Sequence, residues 1–219
     1  MMYKFFLYSI LIMLYLGLAK ALSPTETGIQ YLQNERGFSK IAKDNRSTLI
    51  LIDTHATGFL IKTYYQKYRL ITGYDQVEEL IVRTSKEFAR KNLPHIGLSL
   101  YRKNDDREEF LPLPPGSAYI GDTEFGRWRK TRKGQVWKFH KPFRNFPKYL
   151  GWGEFQPDEE FFKEMKTHVS LNKPFFGVHS EFGPNGEVTM TNFPHFFNND
   201  RKKKVDMQSL LIEYFKENF

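Results

Sequence analysis

The sequence predicts a single α+β domain with a largely antiparallel mixed sheet and three to five packed helices. Three observations indicate this fold class. An aliphatic run at Leu49–Ile52 has the composition of a buried strand. The segment "QVWKFHK", residues 135–141, alternates with the period of two that a half-buried strand shows. In the second half of the chain, predicted strands outnumber the helices that could connect them in parallel, which favours antiparallel pairing.

The first 21 residues have the organisation of a cleaved signal peptide. Lys4 supplies the positive start, Phe5–Leu18 the apolar run, and Ala19-Lys20-Ala21 the cleavage site. We therefore predict a signal peptide over residues 1–21 and one globular domain over residues 22–219. The apolar run has 14 residues, whereas a membrane span needs about 20, so cleavage is favoured over the alternative of an uncleaved membrane anchor. No later apolar run approaches that length, and we expect no transmembrane segment after signal removal.

Charge and cysteine content limit the possible functions. Removal of Lys4 and Lys20 would leave 31 basic against 25 acidic residues, so the mature chain stays basic. The absence of cysteine excludes disulfides, thiolate metal sites and cysteine nucleophiles. An exported chain without disulfides favours a bacterial periplasmic or extracellular location, with a hydrophobic core as the source of stability.

In the first half of the chain, capping signals and apolar spacing predict three helices. The capping box Ser23–Glu26 predicts a short helix that carries Ile29 and Leu32 inward. Residues 54–68 follow the first strand as a second helix. Apolar residues three or four apart predict a helix over residues 76–91, which the Leu93-Pro94 pair ends.

The second half is predicted to be richer in strands. We expect strands over residues 96–102, 117–122 and 135–141. Pro157 and the acids after it predict a helix that buries Phe161, Phe162, Met165 and Val169. The "GPNG" turn at residues 183–186 predicts a β-hairpin, and a last helix is expected at Val205–Lys216.

One stretch combines many cations with many aromatic residues. Phe125–Gly153 contains nine Lys or Arg, eight aromatics and no Asp or Glu. One interpretation is structural, with core aromatics and solvated cations. The other is a surface that binds an anionic polymer or a glycan. Its candidate ligand-binding residues are Trp128, Arg129, Trp137, Lys138, Arg144 and Trp152. Export disfavours nucleic acid and favours an envelope polymer such as peptidoglycan or lipopolysaccharide.

Two glutamates are candidates for glycoside hydrolysis, which needs a pair of carboxyl groups in different environments. Glu154 lies in "GWGEF" and Glu181 in "HSEFG", each beside Phe and Gly. Flanking glycines permit close approach of a substrate. The alternative is that both are ordinary turn or strand-edge residues.

Asp53 and His55 are weak candidates for metal ligands because they follow the Leu49–Ile52 strand at a spacing of two. Asp53-x-His55 resembles the start of the calcineurin-like phosphoesterase motif, and His55-x-x-Gly58 resembles part of a zinc murein peptidase motif. Gly121-Asp122 could supply the second piece of the phosphoesterase motif, but no Asn-His pair and no H-x-H occurs. The Asp ligand of the peptidase motif is also missing, since Leu60 and Lys62 occupy the corresponding positions, so neither resemblance identifies a family. The alternative is that Asp53 or Thr54 caps the helix predicted after the strand.

The leading hypothesis is therefore an exported bacterial protein that engages an anionic or glycan component of the cell envelope. One alternative is an envelope glycan hydrolase that uses Glu154 and Glu181. Another is a structural or interaction protein whose basic stretch docks an acidic partner. No Gly-rich phosphate loop or G-x-S-x-G motif occurs, and the sequence predicts no cofactor. Whether the protein is an enzyme stays open at this level.

Overall fold

A computed structural model describes residues 2–22, 29–57, 62–73, 75–132 and 134–194. It shows a single α+β domain built on a curled mixed sheet of six strands, which confirms the predicted fold class. A separate two-stranded ribbon lies in the second half. The strands are β1 (Tyr31–Leu32), β2 (Arg46–Thr57), β3 (Thr63–Thr72), β4 (Gln76–Thr84), β5 (Ser99–Asn104), β6 (Arg107–Glu109), β7 (Gly126–Thr131) and β8 (Gly134–Phe139).

The helices are mostly short and surround the sheet. They are α1 (Met2–Leu22), α2 (Phe38–Ile41), α3 (Lys86–Asn92), α4 (Phe146–Tyr149), α5 (Glu159–Ser170) and α6 (Glu187–Asn192). Single 3-10 turns occur at Glu35–Gly37, Leu93–His95 and Lys141–Phe143. Within the described ranges, no helix has both the length and the hydrophobicity that crossing a membrane requires.

The six-stranded sheet has the order β1-β4-β3-β2-β5-β6. Only β1 and β4 pair in parallel, while the other neighbours are antiparallel. The strand predicted at Leu49–Ile52 is confirmed as the buried centre of β2. Its continuous aliphatic sequence fits a position with strands on both sides and packed layers on both faces.

Three helix predictions in this half are wrong wholly or in part. Residues 54–57 continue β2, and residues 63–68 belong to β3. Residues 76–84 form β4, and helix begins only at Lys86, where the Ser85 hydroxyl accepts a hydrogen bond from the Phe88 N–H. Ile29 is in coil and Leu32 in β1, not in a helix, while residues 23–28 lie outside the described residues.

The β4 segment misleads because its apolar residues fit both periods. Val77, Leu80, Ile81 and Thr84 lie three or four apart, but Leu80, Val82 and Thr84 also alternate. Pairing along the whole length of β3 favours the alternating pattern, which turns Val82 and Thr84 inward and leaves Ile81 exposed.

The two faces of the sheet are covered by different parts of the chain. Tyr68 faces the side on which Phe38 of α2 packs, with 5.6 Å between ring centroids. Arg69, the next residue, faces the opposite side, where its guanidinium donates to the Tyr149 carbonyl at 3.4 Å and lies 4.9 Å from the Phe193 ring centroid. The C-terminal half of the domain therefore covers the second face.

That C-terminal half departs from the prediction in several places. Residues 117–122 form turns, and β5 covers residues 99–104 in place of the predicted 96–102. The hairpin predicted around "GPNG" is absent, since residues 173–177 are coil and Glu187–Asn192 is helix α6. The α5 helix is confirmed with Asp158 as its cap and with Phe161 and Met165 buried, whereas Phe162 is half-buried and Val169 is exposed, contrary to the prediction. Strand β8 is confirmed at Gly134–Phe139. The last predicted helix lies outside the described residues.

Candidate anion-binding ribbon

The basic aromatic stretch folds into the β7–β8 ribbon and the short helices after it. Strands β7 and β8 pair antiparallel, with Arg127 opposite Lys138, Trp128 opposite Trp137, and Arg129 opposite Val136. Directly opposed residues share a face, and neighbours along a strand alternate between faces. We call the exposed side that carries Arg127, Arg129 and Lys138 the basic face.

All three side chains of the basic face are exposed. None of them forms an ion pair with a carboxylate in the part of the chain that the structure describes. Arg127 lies directly opposite another cation, and directly opposed like charges destabilise an antiparallel pair. The basic face therefore carries three cations that have no ion-pair partner among the described residues.

The remaining described cations of the stretch are also exposed. They are Lys130, Arg132, Lys141, Arg144 and Lys148. Lys130 differs from its neighbour Arg129 because it lies on the other face, opposite Gln135. The Gln135 amide donates to the Glu159 carboxylate at 2.8 Å, so an acid lies close to the Lys130 side of the ribbon. Lys133 falls outside the described residues.

The opposite face of the ribbon joins the core. Trp137 is 3% exposed, and Trp128 is half-buried between Trp137 and Phe162, at centroid distances of 5.3 and 5.7 Å. Trp152 is also 3% exposed, and its indole N–H donates to the Pro115 carbonyl at 2.7 Å. This burial corrects the prediction that Trp137 and Trp152 contact a ligand, because neither ring is available at the surface.

The two glutamates proposed for hydrolysis lie in turns. Glu154 is exposed in the turn after Trp152. Glu181 is half-buried, and its carboxylate accepts a hydrogen bond from the His179 N–H at 3.1 Å. The Glu181 carbonyl also accepts from the Val188 N–H at 3.0 Å, so this residue closes a local turn. A catalytic role for either glutamate stays a prediction.

Asp53 and His55 lie within β2 and not at its end, so a helix-capping role for Asp53 or Thr54 is excluded. Asp53 lies opposite Lys67 of β3 in the strand register, and the His55 ring stacks on Tyr65 at a centroid distance of 5.3 Å. Across the described residues, no group of three or more His, Cys, Asp or Glu side chains is arranged to hold a metal ion.

Sequence reasoning missed Arg127 as a member of the basic face. The signal was present, because Arg127 and Arg129 flank Trp128 in an alternating pattern that matches the one seen in β8. Arg144, which sequence reasoning included, lies beyond the ribbon, after the Lys141–Phe143 turn.

No family model, curated protein or solved structure matches this chain. The register and exposure of the cations on the ribbon are therefore the features that point to a function.

Proposed function

We propose that the protein binds an anionic polymer of the cell envelope through the basic face of the β7–β8 ribbon. The observation that carries the proposal is the juxtaposition of Arg127 and Lys138 across the two strands, with Arg129 on the same exposed side. No described carboxylate forms an ion pair with any of these three groups. An anion bound between them would replace repulsion by attraction.

The spacing of the three cations suits a ligand with repeated charges. Residues two apart on one strand are separated by roughly 7 Å, and directly opposed residues by about 5 Å. Arg127, Arg129 and Lys138 therefore form a triangle of charges spread along the ribbon. A polymer with an anionic group on successive units could contact all three.

The mode of recognition is ionic, with little contribution from aromatic stacking. Trp137 and Trp152 are buried, which leaves Trp128 as the half-buried member of the three predicted aromatic contacts. Neutral glycans depend on such exposed rings, whereas charged polymers depend on the cations. The proposal therefore favours a charged polymer over a neutral glycan.

The choice of an envelope polymer rests on the predicted export signal over residues 1–21. Its support is the charged start, the apolar run and the Ala-x-Ala site. The side chains of Tyr3 to Leu18 are all exposed on α1. Export would separate the protein from most nucleic acid, so lipopolysaccharide or an anionic wall polymer is the favoured ligand class.

The test is a comparison of two adjacent substitutions in one strand. Arg129→Glu reverses a charge on the basic face, and Lys130→Glu makes the same change on the other face. We expect Arg129→Glu to weaken binding to lipopolysaccharide vesicles by roughly tenfold at low salt. Lys130→Glu should have a much smaller effect. Binding of the unaltered chain should weaken as NaCl is raised, since salt screens exposed charges.

Three outcomes contradict the proposal. The first is vesicle binding that does not respond to NaCl. The second is an equal loss of binding in Arg129→Glu and Lys130→Glu, which would indicate attraction by net charge alone. The third is retention of the unaltered chain on acidic polypeptide but not on any envelope polymer, which would favour docking of an acidic protein.

A further inference from the structure

A second cationic feature lies on the other side of the ribbon from the basic face. A cavity of about 360 Å³ opens between the β5–β6 hairpin, the turns of residues 115–122, and α5. Phe162 lines this cavity and also packs against Trp128 on the core face of the ribbon. Since Arg129 points to the opposite face of the ribbon, the cavity and the basic face are separate places.

Cations outnumber acids in the lining of this cavity. The basic lining residues are Arg46, Arg102, Lys103, Arg107 and Lys166. The acidic lining residues are Glu109 and Asp122, and both are engaged. Glu109 accepts from the Arg102 guanidinium at 3.2 Å, and Asp122 accepts from the Glu124 N–H at 2.9 Å.

Three of these cations have protein partners, and two are exposed without an ion-pair partner among the described residues. Arg46 contacts the Glu124 carboxylate at 3.3 Å, and Lys103 donates to the Lys43 carbonyl at 3.5 Å. Arg102 is 3% exposed and donates to the Ser99 hydroxyl at 2.7 Å and to the Leu111 carbonyl at 2.7 Å, so it fixes the fold. Arg107 and Lys166 are exposed, and neither pairs with a carboxylate among the described residues. Lys166 contacts the Phe162 ring, with its ammonium 5.3 Å from the centroid.

A buried hydroxyl without a partner also lines the cavity. Ser117 is 7% exposed, and its oxygen forms no hydrogen bond to a described residue. Leaving a buried polar group unsatisfied costs about 1 to 3 kcal/mol, and most such groups in folded proteins have a partner. A ligand oxygen in the cavity would supply the partner that the Ser117 hydroxyl lacks.

We infer that this cavity binds a phosphate group, with Arg107 and Lys166 as its charge partners and the Ser117 hydroxyl as a donor. A phosphate group carries about two negative charges and three strong acceptor oxygens. That number of acceptors matches two cationic donors and one hydroxyl donor. A carboxylate has a single charge and two oxygens, so it would make fewer and weaker contacts with these three donors. The inference does not depend on the proposed function of the basic face.

The experiment is a titration of the full chain with inorganic phosphate at pH 7.5, followed by calorimetry. Sodium chloride of matched ionic strength and sodium acetate are the two comparison titrants. We expect saturable binding of phosphate, and weaker binding of acetate. Arg107→Gln and Lys166→Gln should each weaken phosphate binding by roughly tenfold, since each removes a charge-assisted contact. Both residues are exposed, so their replacement should leave the fold intact.

Two further variants separate the cavity from other cationic surfaces. Arg90→Gln on α3 removes an exposed arginine outside the lining and should leave phosphate affinity unchanged. Ser117→Ala should fold normally, because it removes an unpartnered hydroxyl, and it should weaken phosphate binding about fivefold.

The inference is overturned if phosphate shows no saturable binding beyond the chloride control. It is also overturned if Arg90→Gln weakens phosphate binding as much as Arg107→Gln does. Equal affinity for acetate overturns the assignment to phosphate. Unchanged affinity in Ser117→Ala overturns the role given to the hydroxyl.

Discussion

The six-stranded sheet and the β7–β8 ribbon both carry cations on antiparallel strands, but the cations of the sheet contact a carboxylate on the neighbouring strand and those of the ribbon do not. On β3, Lys67 and Arg69 both contact Glu79 of the neighbouring strand, at 2.6 and 2.8 Å. On β7, Arg127 lies opposite Lys138. Arg69 and Glu79 lie directly opposite each other across two strands, as Arg127 and Lys138 do, but the charge facing the arginine is negative in the sheet and positive in the ribbon. Charge density alone therefore does not distinguish the two regions, whereas the presence or absence of an ion-pair partner among the described residues does.

The cores beneath the two regions differ as well. The centre of the sheet is largely aliphatic, with Leu49, Ile50, Leu51 and Ile71 fully buried. Beneath the ribbon the buried side chains are mainly aromatic, and Phe146 contacts Tyr119, Phe125, Phe139 and Phe143. All three tryptophans of the chain lie in this aromatic region. Tryptophan fluorescence therefore reports on the ribbon region, while far-ultraviolet circular dichroism reports on the whole domain.

The largest expected effect comes from Phe146→Ala. Phe146 is 1% exposed and central to the ring cluster, so its truncation should lower the free energy of unfolding by about 4 kcal/mol. Urea denaturation followed by fluorescence and by circular dichroism measures it. Because ribbon and sheet belong to one domain, both signals should shift together. Separate transitions would contradict this, and Leu49→Ala in the sheet is the matched control.

The next effect compares one arginine from each region. Arg102→Met removes the donor that serves the Ser99 hydroxyl and the Leu111 carbonyl, and should cost about 3 kcal/mol of unfolding free energy. Arg129→Met removes an exposed cation of the basic face and should change stability by less than about 0.5 kcal/mol. Equal losses in urea denaturation would show that Arg129 has a structural role that its exposure does not indicate.

The ion pairs of Glu79 make the stability of the sheet depend on pH. Burial works to raise the pKa of the Glu79 carboxyl, but contacts with Lys67 and Arg69 outweigh it and place the pKa below its ordinary value of 4.5. Because the folded-state pKa is the lower one, the stabilisation is complete above 4.5 and is lost as pH falls through the lowered value.

Glu79→Gln should therefore destabilise the protein by about 1 kcal/mol or less at pH 7, given that its side chain is 38% exposed. Urea midpoints of the two proteins should converge as the pH is lowered below 4.5. A difference that stays constant or widens in acid would contradict the assigned ion pairs.

The smallest effect is a gain of stability. Lys138→Glu turns the pair with Arg127 into one of opposite charges, which should stabilise the ribbon by about 0.5 kcal/mol. The corresponding change in the sheet, Lys67→Glu, should destabilise it, because the new carboxylate would lie beside Glu79. The midpoints of urea denaturation show whether each variant is more or less stable than the unaltered chain. Lys138→Glu should also weaken polymer binding, so that stability and binding move in opposite directions.

The sequence was a good guide where one pattern excluded the other. In β8 the alternation of Trp137 and Phe139 with Val136 and Lys138 has no helical counterpart, and the strand formed where it was expected. At α5, Pro157 and the acids after it predicted a helix, which the structure begins at Glu159 with Asp158 as its cap. In β4 the apolar spacing fits a helix and a strand equally, and pairing with β3 decided between them.

The sequence alone determined that the chain is basic, that it has no cysteine, and that its cations cluster between Phe125 and Gly153 without a local acid. Those properties are sums over residue types, and folding cannot alter them. Only the tertiary structure decided that Arg127 faces Lys138, that Lys67 and Arg69 share Glu79, and that Trp137 and Trp152 are buried. Pairing and burial depend on strand register and packing between residues distant in the chain, and a local pattern does not specify either of them.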